Sequence, residues 1–142
     1  MANFRSWRSV ARINAADLGW NAKATNAAVT GSTFDATGAD GLTVYCHFTR
    51  VAATGTISLD VQAYDEVKEA WITLNTVAIT AGASALSAMS VDKATGSASQ
   101  AYEFRLEKLR FHKMRINMAA AVTAAGATDL LSLTAELTGI GG

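Results

Sequence analysis

Residues 55–74 read Gly55-Thr56-Ile57-Ser58-Leu59-Asp60-Val61-Gln62-Ala63-Tyr64-Asp65-Glu66-Val67-Lys68-Glu69-Ala70-Trp71-Ile72-Thr73-Leu74. Ile57, Leu59, Val61 and Ala63 take every second position, with Ser58, Asp60, Gln62 and Tyr64 between them. Side chains alternate across a strand, so this spacing gives one apolar, buried face and one polar face. The charged cluster Asp65 to Glu69 interrupts the pattern, and Trp71-Ile72-Thr73-Leu74 resumes apolar character. The stretch therefore predicts a hairpin whose tip lies at 65–69.

The same period recurs on both sides. Leu42, Val44, Cys46 and Phe48 alternate with Thr43, Tyr45, His47 and Thr49. Further runs are Tyr102-x-Phe104-x-Leu106, Met114-x-Ile116-x-Met118, and Leu131, Leu133, Ala135 and Leu137. Turn-forming clusters separate them at Gly31-Ser32, 37–41, 53–55, 81–83, 92–99 and 124–127. Regular turn signals between short apolar runs, roughly every 10–15 residues, predict an all-β fold, an antiparallel β-sandwich or jelly roll. The chain has 142 residues and no proline, where average usage gives about seven. Its turns must then rest on Gly, Asn, Asp, Ser and Thr. This length suits a single domain, read here as 14–142, that buries roughly 70% of its unfolded surface. The expected core contains Leu42, Val44, Phe48, Ile57, Leu59, Val61, Leu131, Leu133 and Leu137.

The N-terminal part reads differently. Asn14 is a suitable N-cap, Asp17 follows in the first turn, and a short helix is expected over 15–28. Residues 1–13 hold Phe4, Trp7, Val10 and Ile13 at spacing three, interleaved with Arg5, Arg8 and Arg12. They read as a docking arm, mobile until it meets a partner, with Phe4, Arg5, Trp7, Arg8 and Arg12 as candidate interface residues. The competing reading is an N-terminal strand whose aromatics complete the domain's own core.

Only 17% of residues are charged and the net charge is zero, against about 25% charged in ordinary domains. A surface rich in Ala, Thr, Ser and Gly costs little to desolvate and suits subunit contacts. The second basic run is Arg105, Lys108, Arg110, Lys113 and Arg115 against Glu107, and Arg110 and Lys113 are further interface candidates. The stretch between the basic runs includes Asp60, Asp65, Glu66 and Glu69, which can pair within the chain or with a neighbouring copy. Such fields act over only about 8 Å at physiological salt.

Catalytic equipment is sparse. His47 and His112 are far apart in sequence, and Cys46 and His47, as strand neighbours, point to opposite faces. That separation excludes a thiolate–imidazolium pair from this dipeptide. No Cys-x-x-Cys, His-Glu-x-x-His, EF-hand or glycine-rich phosphate loop occurs. Asp65, Glu66 and Glu69 offer too few oxygens for calcium and read as a solvated tip. The expectation is a non-enzyme with no cofactor and no metal. Tyr45 and Tyr64, with Trp71 nearby, leave open a sugar-stacking platform. The basic run 105–115 shows no adjacent aromatic platform, so no nucleic-acid partner is expected. The first residues show no signal-peptide pattern, no apolar run suggests a membrane partner, and the lone Cys46 fits a reducing cytoplasm.

The segment 55–65 running into Ala70-Trp71-Ile72-Thr73-Leu74, followed later by Met114-Arg115-Ile116-Asn117-Met118, resembles small virion proteins of tailed phages. The resemblance covers about residues 42–138, and the Ala/Thr/Gly-rich composition shares it. It implies a sandwich or jelly roll, a trimer, that clamps capsomers as a head decoration or cement protein. The implied partners are the major capsid protein and further copies of the chain. The implied location is the capsid surface, after assembly in the host cytoplasm. Tail and fibre-base proteins share this style, and a carbohydrate-binding module is the reading from another class.

The strand-face assignment has a direct check. Leu59→Ala is expected to cost about 2–5 kcal/mol, and Asp60→Ala much less. Equal drops in melting temperature would show the face to be inverted.

Overall fold

A computed structural model describes residues 6–24, 27–49, 56–80, 89–92, 99–119 and 130–141. In chain order the elements are β1 (Ser6–Ile13), α1 (Ala15–Leu18), β2 (Lys23–Ala24), β3 (Val29–Thr30), β4 (Phe34–Asp35), β5 (Gly41–Thr49), β6 (Thr56–Asp65), β7 (Ala70–Thr80), β8 (Met89–Asp92), β9 (Ser99–Glu107), β10 (Lys113–Met118) and β11 (Leu130–Gly141). All strand pairs are antiparallel. One sheet has the order β1-β11-β5-β9-β8, with β2 also on β11. The other has the order β3-β10-β6-β7, with β4 also on β10. The fold is an all-β sandwich, as the alternation predicts.

Period-two patterning builds the core between the sheets. Leu42, Val44 and Cys46 of β5 and Leu131, Leu133, Ala135 and Leu137 of β11 are buried from one side. Leu59, Val61 and Ala63 of β6 and Met114, Ile116 and Met118 of β10 are buried from the other. Seven of the nine expected core residues are thus buried; the side chains of Phe48 and Ile57 lie outside the described residues. The hairpin over 56–80 forms as read, with Tyr64 opposite Trp71. At its tip Asp65 Oδ1 accepts from the backbone N–H groups of Val67 and Lys68, at 2.9 and 3.1 Å.

The chain before β5 closes one side of the sandwich. It first runs along β11, through β1, the Trp20 carbonyl (which accepts from Leu133 N–H at 3.1 Å) and then β2. It then crosses to the other sheet and runs along β10 through β3 and β4. Ser6–Ile13 is therefore an edge strand of the domain's own sheet, the competing reading of that segment. The domain boundary at residue 14 is corrected accordingly. Residues 1–5, including Phe4 and Arg5, lie outside the described residues.

The helix expected over 15–28 is corrected to one turn. Asn14 caps it as read, its Oδ1 accepting from Asp17 N–H at 2.8 Å. Gly19 then ends it in the left-handed conformation, with φ +73°. Gly19 N–H donates to Ala16 O and Trp20 N–H to Ala15 O, the Schellman pattern. A Cβ at Gly19 would lie 2.7 Å from the Ser32 nitrogen, so a side chain there is excluded by sterics as well as by φ.

Trp20 is fully buried, and its indole N–H donates to Ile116 O at 2.8 Å. Gly31 passes beside this bond so closely that a Cβ would stand 2.2 Å from Ile116 O and 3.1 Å from the indole nitrogen. Gly31→Ala is therefore expected to be strongly destabilising, because backbone rather than a movable side-chain end must give way. Trp20→Phe leaves Ile116 O without this donor and should cost about 1–3 kcal/mol. Urea denaturation checks both. A Gly31→Ala midpoint equal to wild type would show that the crossing is not tight.

Candidate assembly surfaces

The structure disperses the basic run 105–115. Lys108 adopts φ +59° where the chain leaves β9, and Leu109 turns into the core. Arg105, on the six-stranded sheet, donates through Nε to Thr43 Oγ1 at 3.2 Å, and Thr43 is only 2% exposed. Arg110 pairs with Asp40 at 3.4 Å, and Arg12 pairs with Glu136 at 3.6 Å. Both arginine side chains remain mostly solvent-exposed, so each pair contributes about 0–1 kcal/mol. Among the described residues the acids that meet these arginines are Asp40 and Glu136, not the 60–69 segment. Trp7 and Arg8 belong to β1, but their side chains lie outside the described residues.

Lys113 and Arg115 take a different setting, on the outer face of the five-stranded sheet. The Lys113 ammonium stands 5.4 Å from the Tyr64 ring centre, and the Arg115 guanidinium 4.1 Å from that of Trp71. Tyr64 and Trp71 meet edge to face at 5.4 Å. Arg115 Nε–H also donates to Gln62 Oε1 at 2.8 Å, and Asn117 Nδ2 donates to the same oxygen at 2.9 Å. Asn117 Oδ1 in turn accepts from Gly31 N–H at 3.0 Å, and Gln62 Nε2 donates to Thr73 Oγ1 at 3.2 Å. Cross-strand register creates this cluster by setting Tyr64 opposite Trp71 and Gln62 opposite Arg115. Sequence reasoning missed the Arg115–Trp71 stack, since alternation places residues on faces without saying which strands are neighbours. Tyr45 is not part of the cluster; it lines a shallow depression of about 390 Å³ with Arg12 and Glu136 on the other sheet. The suggested grouping of Tyr45 with Tyr64 and Trp71 is corrected on that ground.

Sheet edges are the other surface of consequence, because they carry backbone donors and acceptors that a second chain can pair with. On β1 the register shifts between Ser9 and Ala11, leaving Val10 unpaired and 43% exposed, and Arg8 and Arg12 flank it. The edge along β10 is split into two two-residue strands. β8 has four residues, a register shift and Asp92. β7 is unlike these. It runs for eleven residues, Ala-Trp-Ile-Thr-Leu-Asn-Thr-Val-Ala-Ile-Thr, without a charge, proline or glycine, and among the described residues it pairs only with β6. Among the described residues, what interrupts it is a register shift that leaves Leu74 without a partner on β6.

Candidate reactive groups are held apart or buried. Cys46 is in the core and His47 is exposed on the opposite face. At the loop between β4 and β5, Asp35 Oδ1 accepts from the Thr37 hydroxyl at 2.6 Å and from Thr37 N–H at 2.9 Å. These two bonds hold the Asp35 carboxyl below its ordinary range. The Thr37 hydroxyl spends its proton on the carboxylate, so the 3.0 Å contact with His112 makes Nδ1 the donor. Among the described residues no group of three or more His, Cys, Asp or Glu is placed to share a metal ion.

Desolvation pushes the Cys46 thiol from an ordinary value of 9.0 up to about 12. The unfolded chain therefore releases this proton first as pH rises. Cys46 should favour the fold fully below pH 9.0 and lose that contribution as pH climbs toward about 12. Urea midpoints of wild type and Cys46→Ala, compared across this window, check it; parallel curves would show that the thiol is not desolvated.

No protein-family model matches this chain, and no curated protein matches it. Among solved structures, the crystal structure of the SPBc2 prophage-derived protein YomS is similar, with a TM-score of 0.41, 10% identity and 97% of each chain covered.

Proposed function

We propose that this chain is a tailed-phage virion structural protein, a head decoration or cement protein that stabilises the capsid shell through protein–protein contacts. It works without catalysing a reaction, as a homo-oligomer, a trimer, whose second partner is the major capsid protein. The observation that carries this reading is β7, an eleven-residue uncharged strand that forms a sheet edge among the described residues. A soluble protein that leaves such an edge open invites uncontrolled pairing, so natural sheets blunt or cover it. The other edges are broken, short or charged. A partner strand on β7 satisfies its outward backbone groups and extends the sheet. The low charge of the surface and the likeness of 55–74 and 114–118 to tailed-phage virion proteins support the same reading.

The test pairs composition of the particle with the edge itself. Mass spectrometry of purified virions should find the chain at high copy, and light scattering should give an oligomer. Asn75→Lys places charge on an exposed position of β7 and should yield a folded protein of lower oligomeric order that binds heads more weakly. Absence from virions, or a wild-type monomer both free and on the head, would overturn the proposal.

A further inference from the structure

We infer that Arg115, Trp71 and Lys113 form a preorganised receptor for carboxylate side chains, and that it takes an acidic segment of a partner protein. The inference stands apart from the virion reading, since it rests on the outer face of the five-stranded sheet alone. Arg115 is held on two sides. Trp71 covers one face of the guanidinium at 4.1 Å, and Gln62 Oε1 accepts from Nε–H at 2.8 Å. Gln62 is itself fixed by Asn117 and Thr73, and Asn117 by the backbone of Gly31 at the sheet crossing. The Gln62 contact uses the Nε side of the guanidinium and leaves its two terminal amino groups. Among the described residues no carboxylate lies within ion-pair distance of Arg115 or Lys113. Asp35 stands opposite Lys113 in the β4–β10 register, with one carboxylate oxygen taken by the Thr37 hydroxyl and N–H, and Asp60 on the β6 outer face is engaged by the Thr76 hydroxyl at 2.7 Å.

A planar guanidinium offers paired N–H groups that match the two oxygens of a carboxylate. Long side chains lose rotamer freedom on binding, and here the stack and the Gln62 bond have already removed it. Lys113, held over Tyr64, adds a second cation on the same strand and face. Ligands that bind by stacking fit less well. Arg115 occupies one face of Trp71, and Tyr64 meets its ring edge to face. Those contacts count against a sugar ring or a nucleobase as the occupant. The zero net charge provides no long-range pull toward a polyanion. Short-range pairing with a few carboxylates is what this geometry offers.

NMR on the full chain tests the proposal, with resonances of Arg115 Nε–H and Trp71 indole N–H as reporters. A hexaglutamate peptide should shift both saturably, with a Kd of about 1 mM. A hexaglutamine peptide should shift neither. Arg115→Lys keeps the charge but loses the fork, and should weaken binding by about tenfold. Lys113→Gln should weaken it less. Equal affinity in Arg115→Lys would reduce the site to undirected charge and overturn the receptor. Unmoved wild-type reporters would overturn it without any variant. Tighter binding of an oligothymidylate at the same residues would replace the acidic segment with nucleic acid, and the proposal would fall.

Discussion

The Trp20 side chain ties the two sheets together. Its indole N–H donates to Ile116 O on β10, while its backbone carbonyl accepts from Leu133 N–H on β11. One residue thus satisfies backbone groups of both layers from inside the core. A buried carbonyl without a partner costs more than a hydrogen bond gains, so the position tolerates little change. The surrounding chain follows from this requirement. Gly19 turns the helix end so that Trp20 points inward, Ser32 N–H closes onto Leu18 O at 3.0 Å, and Gly31 gives up a side chain to pass beside the indole. Every buried side-chain polar atom among the described residues has a partner, as a sandwich with so tight a crossing demands.

The same crossing reaches the outer face. Gly31 N–H meets Asn117, Asn117 meets Gln62, and Gln62 meets Arg115. A half-buried arginine therefore takes its position from a backbone segment packed against the core. Such coupling gives a surface group the fixed geometry that recognition needs, at little further cost in side-chain entropy.

Edges and faces divide the work of such a protein. Among the described residues, register shifts and short strands interrupt the other edges, whereas β7 pairs on one side only and carries no charge along eleven residues. The tip beside it carries Val67, 94% exposed between Glu66 and Lys68. In the proposed reading, backbone pairing at β7 would give adhesion with little chemical selectivity, and the oriented charges on the adjoining face would provide it.

Alternation by itself determined the strands. Leu42, Val44, Leu59, Val61, Leu131, Leu133 and Leu137 are buried because a period of two leaves a strand only one apolar face. The hairpin at 65–69 and the Asn14 cap were equally legible, since both rest on contacts a few residues apart. Trp20 was not legible as the bridge, and the helix read over 15–28 ends at Leu18, because Gly19 closes against Ser32 and Trp20 answers to Ile116 and Leu133, far along the chain. The basic run 105–115 looked like one patch because sequence proximity hides which sheet and which face each residue meets. Only tertiary structure placed Arg115 on Trp71 and left Arg110 on Asp40. The physical reason is that periodicity is a property of one strand, while register, edges and stacking are properties of pairs of strands distant in the chain.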